Sequence, residues 1–191
     1  MTDRLDRQIA FLSEADKLKS VLRASRLHDN SRFENSAEHS WHIMLFALVL
    51  ADQAGPGVCI DRVLRMLLLH DIVEIDAGDN PIHGTVDRAA VDAAEKAAAG
   101  RLFGLLPTDQ GNEIRALWEE FEAGESADAV FAKSIDRVQT PLANLANGGG
   151  SWTDYDVSFE QLDARVGRPV RRGAPALWDW LMPRLRAFFA T

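Results

Sequence analysis

The chain has 191 residues, 47% of them hydrophobic and 26% charged, with a formal net charge of −8, which is the make-up of one ordinary globular domain and excludes a disordered or fibrous chain. The negative charge opposes attraction to extended nucleic acid or an anionic membrane surface, but a small anionic substrate stays open, because a divalent cation and one or two arginines reverse the field inside a single pocket. Cys59 is the only cysteine, so there is no intrachain disulfide and no cysteine-based zinc site, and a reducing cytoplasm is the natural setting. The N-terminal residues mix charge signs, unlike a secretory signal. The longest wholly apolar run, 43–51, is far too short to cross a bilayer.

Leu5, Ile9, Leu12, Leu18, Val21 and Leu22 recur at helical spacing and predict an amphipathic helix over 3–25. A polar, irregular segment, 26–35, follows. Asn35-Ser36-Ala37-Glu38 resembles a capping box and predicts a second helix to about Asp52, with His39 near its first turn and Glu38 as a cap. Gly55-Pro56-Gly57 breaks the chain. Asp61 is expected to cap a third helix, 62–75, apolar on most sides. The next residues, 76–84, carry two glycines and a proline and predict a loop.

Three further helices are predicted over 85–106, 109–123 and 126–147, with Pro141 bending the last. Asn147-Gly148-Gly149-Gly150 predicts a flexible connection, the stretch after it has no clear pattern, and Pro175 suits the first position of a terminal helix. On that helix Trp178, Leu181, Met182, Leu185 and Phe189 read as packing, while Trp180 falls off the stripe and marks an interface. No repeat or strand pair is visible. The expectation is therefore an all-α bundle, a single domain over 1–191 with its core at about 10–145 and a helical extension at about 151–191.

His70-Asp71 stands at the end of the largely apolar run Val63-Leu64-Arg65-Met66-Leu67-Leu68-Leu69. An ionised Asp buried there is costly unless it is paired or coordinates a metal. Adjacent helical residues diverge by only about 100°, so the pair can straddle one ion. His39, His70, Asp71 and Asp136 together suit one divalent cation (Mn, Co, Fe, Zn or Mg) rather than Cu(I). Four protein ligands on a six-coordinate ion leave room for water and substrate.

Glu74, three residues after Asp71, is placed to act as a base on an attacking water without being a ligand. Arg23 or Arg32 is expected to hold a phosphate, since guanidinium groups grip it in bidentate fashion, and Lys133 to add positive charge beside Asp136. His42 reads as a hydrogen-bonded helix residue, with a two-metal site using His42 or His83 as the alternative.

His39, then His70-Asp71, then Asp136 on a helical chain resembles the HD superfamily of metal-dependent phosphohydrolases. The longer stretches Glu34-Asn35-Ser36-Ala37-Glu38-His39-Ser40 and His70-Asp71-Ile72-Val73-Glu74-Ile75-Asp76-Ala77-Gly78-Asp79 resemble the branch that contains 5′-deoxynucleotidases. The resemblance spans about residues 10–145. It implies a helical, generally dimeric enzyme that hydrolyses deoxynucleoside 5′-monophosphates to nucleoside and inorganic phosphate. It further implies that His39, His70, Asp71 and Asp136 are the metal ligands, that Glu74 assists the attacking water, that Asp79 lies near the sugar or leaving oxygen, and that Arg23 contacts phosphate. Where similar enzymes often carry an aromatic residue that helps form the nucleoside pocket, this chain has Ala24. The alternatives are a phosphohydrolase acting on triphosphates, cyclic dinucleotides or guanosine tetraphosphate, and a non-catalytic, metal-bound nucleotide sensor.

Overall fold

A computed structural model describes residues 2–190. The chain opens with α1 (Thr2–Ala15), which tightens into a short 3₁₀ turn over Asp16–Ser20. β1 (Leu22–Arg26) then pairs antiparallel with β2 (Phe33–Asn35), with Leu22 opposite Asn35 and Arg26 opposite Phe33. This corrects the expectation of one helix over 3–25 and of no strand pair. Val21 turns extended, at φ −83° and ψ 112°, and its carbonyl accepts from the Ser36 amide. Backbone bonds to the segment 33–36 thus replace the helical ones that periodicity alone suggested.

Asn35 ends β2 and caps α2 (Ser36–Val49): its side chain accepts from the Glu38 amide while Glu38 reaches back to the Asn35 amide, the expected capping box. α3 (Ile60–Leu69) starts earlier than expected, and Asp61 is not its cap. The Cys59 amide instead donates to Asp128, 2.6 Å away on a distant helix, and Arg62 binds the same carboxylate. The helix also ends at Leu69 rather than 75. From there the chain tightens through bonds of the three-residue kind (Ile72 to Leu69, Glu74 to Asp71) and resumes as α4 (Glu74–Ala77).

α5 (Arg88–Phe103), α6 (Thr108–Ala123) and α7 (Ala127–Ala146) follow, α5 capped by Asp87 and α7 by Ser126. The glycine run after α7 is a built turn rather than a flexible connection. Gly148, Gly149 and Gly150 all take positive φ, a region that other residues enter only with strain, and Asn144 holds the turn through its contacts with Ser151. The stretch without a clear pattern folds as α8 (Ser151–Asp154), α9 (Phe159–Leu162) and α10 (Arg168–Gly173), and Pro175 opens α11 (Pro175–Phe189) as expected.

Two apolar clusters organise these elements. One joins α2, α3, α7, α10 and α11 around Ile43, Met66, Leu67, Ile135, Trp178 and Leu181. The other joins α1, α5 and α6 around Phe11, Leu102, Phe103 and Trp118. Leu69 belongs to the first, while Ile72 and Val73 belong to the second. The tightened turn carrying His70 and Asp71 is therefore clamped between both clusters. Among the described residues no helix is long and apolar enough to cross a membrane.

Candidate active site

A pocket of about 210 Å³ opens where β1, the His70-Asp71 turn, α5, α6, α7 and α8 meet. The capping box sets the direction of α2 and places His39 in its first turn, where the side chain is fully buried. The clamped turn contributes His70 and Asp71. α7 contributes Asp136, and β1 contributes Arg23. Gly78 ends α4 at φ 75° and lets the chain turn back so that Asp79 faces the same space.

The polar atoms converge. His70 Nδ1 lies 2.8 Å from the Leu67 carbonyl and donates to it, which leaves Nε2 as the nitrogen that faces inward. Nε2 is 2.9 Å from Asp71 Oδ1 and 3.9 Å from Asp136 Oδ1. His39 Nε2 is 3.1 Å from Asp136 Oδ1, and its other nitrogen is 3.4 Å from Glu34 Oε2. One donor atom from each of His39, His70 and Asp136 lies within 4.8 Å of the others. Among the described residues His70 Nε2 is buried without a hydrogen-bond partner. A buried, inward-facing imidazole nitrogen with no partner, ringed by carboxylate oxygens, is the donor set a divalent cation takes. The residues present fit the metal that the sequence implied.

Charge balance supports that fit. Burial pushes the Asp71 and Asp136 carboxyls up, yet both lie below their ordinary range, because His70 and Arg23 face the first and Arg137, His39 and His70 the second. Burial lowers His70, but the same two carboxylates outweigh it and hold the imidazole up at about 9. Asp79 is raised, chiefly by burial and also by Asp71. Arg23 Nη1 lies 3.2 Å from Asp71 Oδ2 and 3.7 Å from Asp79 Oδ1, so it brings a buried positive charge to the rim of the cluster.

Not every expected residue arrives. Arg32 is half exposed, outside the pocket lining, and bonded at 2.5 and 2.8 Å to Glu38, so it is corrected to a surface ion pair. Lys133 lines the pocket, but its ammonium lies over the Phe121 ring and 3.6 Å from Glu122. His42 packs edge-on to Phe46 and stacks on Trp41, and His83 lines the pocket mouth, where burial together with Arg165 and Arg137 pushes it down to about 4. Neither joins the His39 cluster.

Three contributors carried no assigned role in the sequence. Glu34 touches His39 and Arg23, Ser36 donates to Glu74 at 2.6 Å, and Arg137 lies 3.7 Å from Asp136. For the first two the only signal was their place in the stretch leading into the capping box.

Comparison with known proteins agrees with this geometry. The HD domain family profile matches residues 15–178. The 5′-deoxynucleotidase HDDC2 of Bos taurus is 33% identical over 153 residues, covering 77% of this chain and 73% of that protein. A crystal structure of a predicted metal-dependent phosphohydrolase from Magnetospirillum magnetotacticum superposes with a TM-score of 0.92 at 46% identity, covering 97% of this chain and 95% of the other. A match of this extent, carrying the His70-Asp71 pair inside the described pocket, makes the chain a member of the HD domain family.

Proposed function

We propose that the protein is a metal-dependent phosphomonoesterase that hydrolyses (deoxy)nucleoside 5′-monophosphates to nucleoside and inorganic phosphate. The observation that carries this reading is the buried cluster of His39, His70 and Asp136 with the Arg23 guanidinium beside it. His39, His70 and Asp136, with Asp71 beside them, would hold one divalent cation. When bound, the ion supplies Lewis acidity toward the phosphoryl oxygens and toward water, and its charge lowers the pKa of nearby acids. The likeness to the Bos taurus 5′-deoxynucleotidase supports the mononucleotide as substrate.

Arg23 orients the phosphate, its guanidinium set by carboxylates on two sides. Glu74 takes the proton of the attacking water. Its carboxyl is held by Ser36 and, in the metal-free protein, is pushed up to about 9, first by burial and then by Asp71 and Asp79, so it becomes a base only when a bound cation draws that value down. Asp79, raised in the same direction, gives a proton to the departing 5′-oxygen. Although Ala24 offers no ring, exposed Tyr155 lines the same pocket and supplies aromatic surface for the nucleoside.

The protein is further read as a cytoplasmic homodimer. Support for the dimer comes from exposed Leu45, Val49 and Trp180, which line an apolar groove of about 620 Å³.

Phosphate release from a panel of 5′- and 3′-mononucleotides with Mn, Co or Mg tests the activity. Release from 5′-monophosphates is expected; pyrophosphate or triphosphate release points to another HD phosphohydrolase, and no release from any ester to a nucleotide sensor. Asp71→Ala is expected to lose metal and activity together, whereas Glu74→Ala keeps the metal and loses roughly 10²- to 10⁴-fold in kcat. Equal metal loss in both contradicts the division of roles.

Glu74 also makes a pH prediction for the metal-free protein. Its ordinary value is 4.5 and its folded value about 9, so between those pH values the folded state holds a proton that the unfolded chain lacks, and stability falls as pH rises through that window. Glu74→Gln removes this loss. Its melting temperature should exceed wild type near pH 8 and converge with it toward pH 5; a gap of equal size at both pH values contradicts the assignment. Sedimentation equilibrium of the wild-type protein should give twice the 21.1 kDa chain mass, and a monomer rejects the dimer.

A further inference from the structure

Glu34 lies on β2, one residue before the Asn35 cap of α2, and is only 3% exposed. A carboxylate buried this deeply is costly unless its lone pairs are taken up by partners. Its partners come from three elements. Oε1 accepts from Gln139 Nε2 of α7 at 2.9 Å, and Oε2 accepts from Ser25 Oγ of β1 at 3.3 Å. The same Oε2 lies 3.4 Å from His39 Nδ1 and 3.5 Å from Arg23 Nε.

These last two contacts fall on opposite sides of the chemistry. His39 turns Nε2 toward Asp136 and Nδ1 toward Glu34. A histidine that ligates through one nitrogen is commonly oriented by an acceptor at the other, which fixes its tautomer and raises its basicity. Arg23 is divided likewise: Nη1 faces Asp71 and Asp79, and Nε faces Glu34. Among the described residues Arg23 Nε and His39 Nδ1 are buried and have no hydrogen-bond partner, and Glu34 Oε2 faces both at ion-pair distance. One Glu34 oxygen is thus shared between them.

We propose that Glu34 is a positioning residue that fixes His39 for the metal and Arg23 for the phosphate with a single carboxylate oxygen, so that the two halves of the site are set together. The inference rests on the metal-site reading above. It differs from a purely structural role, in which Glu34 would merely tie β2 to α7 through Gln139 and any side chain preserving that tie would serve.

The test uses the full chain. Cobalt(II) titrated into metal-free protein and followed by its visible absorption gives the metal dissociation constant, steady-state hydrolysis of a nucleoside 5′-monophosphate gives KM and kcat, and circular dichroism reports folding. Glu34→Gln keeps the side-chain length and an acceptor for Gln139 but removes the charge. It is expected to stay folded, to weaken cobalt binding by about tenfold or more, and to raise KM. Glu34→Asp restores the charge with a shorter reach and is expected to lose less cobalt affinity than Glu34→Gln.

A folded Glu34→Gln protein with wild-type cobalt affinity and wild-type KM overturns the inference, as does a Glu34→Asp protein no better than Glu34→Gln. Should Glu34→Gln fail to fold, Glu34→Asp carries the test: severalfold weaker cobalt binding supports the positioning role, and unchanged binding rejects it. A wild-type protein that binds no cobalt defeats the metal-site reading itself before any variant is made.

Discussion

Asp71, Asp136 and Glu34 are carboxylates taken almost wholly out of water, and each must face positive charge or a hydrogen-bond donor to remain there. The chain meets this demand by bringing His39, His70 and Arg23 against them from α2, the turn after α3, and β1. Arg23 with Asp71 and His39 with Asp136 join segments far apart in sequence, while His70 with Asp71 and Glu34 with Arg23 and His39 are local. The fold can therefore close only in an arrangement that gathers the acids and their partners at one point. The compensation still leaves His70 Nε2 without a hydrogen-bond partner among the described residues, and a divalent cation, by displacing any proton there, would take up that nitrogen.

Packing holds this arrangement in register. Leu69 anchors in one apolar cluster and Ile72 and Val73 in the other, so the turn between them cannot rotate without exposing one side. α2 is fixed at its start by the capping box, immediately before His39. Glu34 and Ser36 flank that cap and reach, respectively, toward Arg23 and Glu74. One short segment thus organises His39, Arg23 and Glu74. The positive charge of Arg23 sits where a substrate phosphate would compete with Asp71 and Asp79 for the same guanidinium.

How much of this could be read beforehand depended on whether the forces were local. α2, α6, α7 and α11 were legible because periodic apolar residues and nearby caps such as Asn35, Ser126 and Pro175 act within a few residues of the helix they define. The β1–β2 pair was not, since its bonds join two short strands across a polar connection and Leu18, Val21 and Leu22 kept helical spacing up to the strand. The start of α3 was hidden because its amide partner, Asp128, comes from α7. Within the site, the convergence of His39, His70 and Asp136 followed from residue types and order. Arg32 misled because an arginine near a predicted pocket carries no mark of its partner, and Glu38 claims it at the surface. Glu34 stayed without a role because its meaning lies wholly in contacts with β1, α2 and α7.

The central claim is that side chains from separate elements form one cation site through compensation of buried charge. A crystal structure of the protein grown with manganese or cobalt, with anomalous data collected at that metal's absorption edge, tests it most directly. The account predicts one strong peak bonded to His39, His70, Asp71 and Asp136 with Glu74 outside bonding distance. A peak elsewhere in the molecule, or a filled lattice in which those four side chains hold no ion, would contradict it.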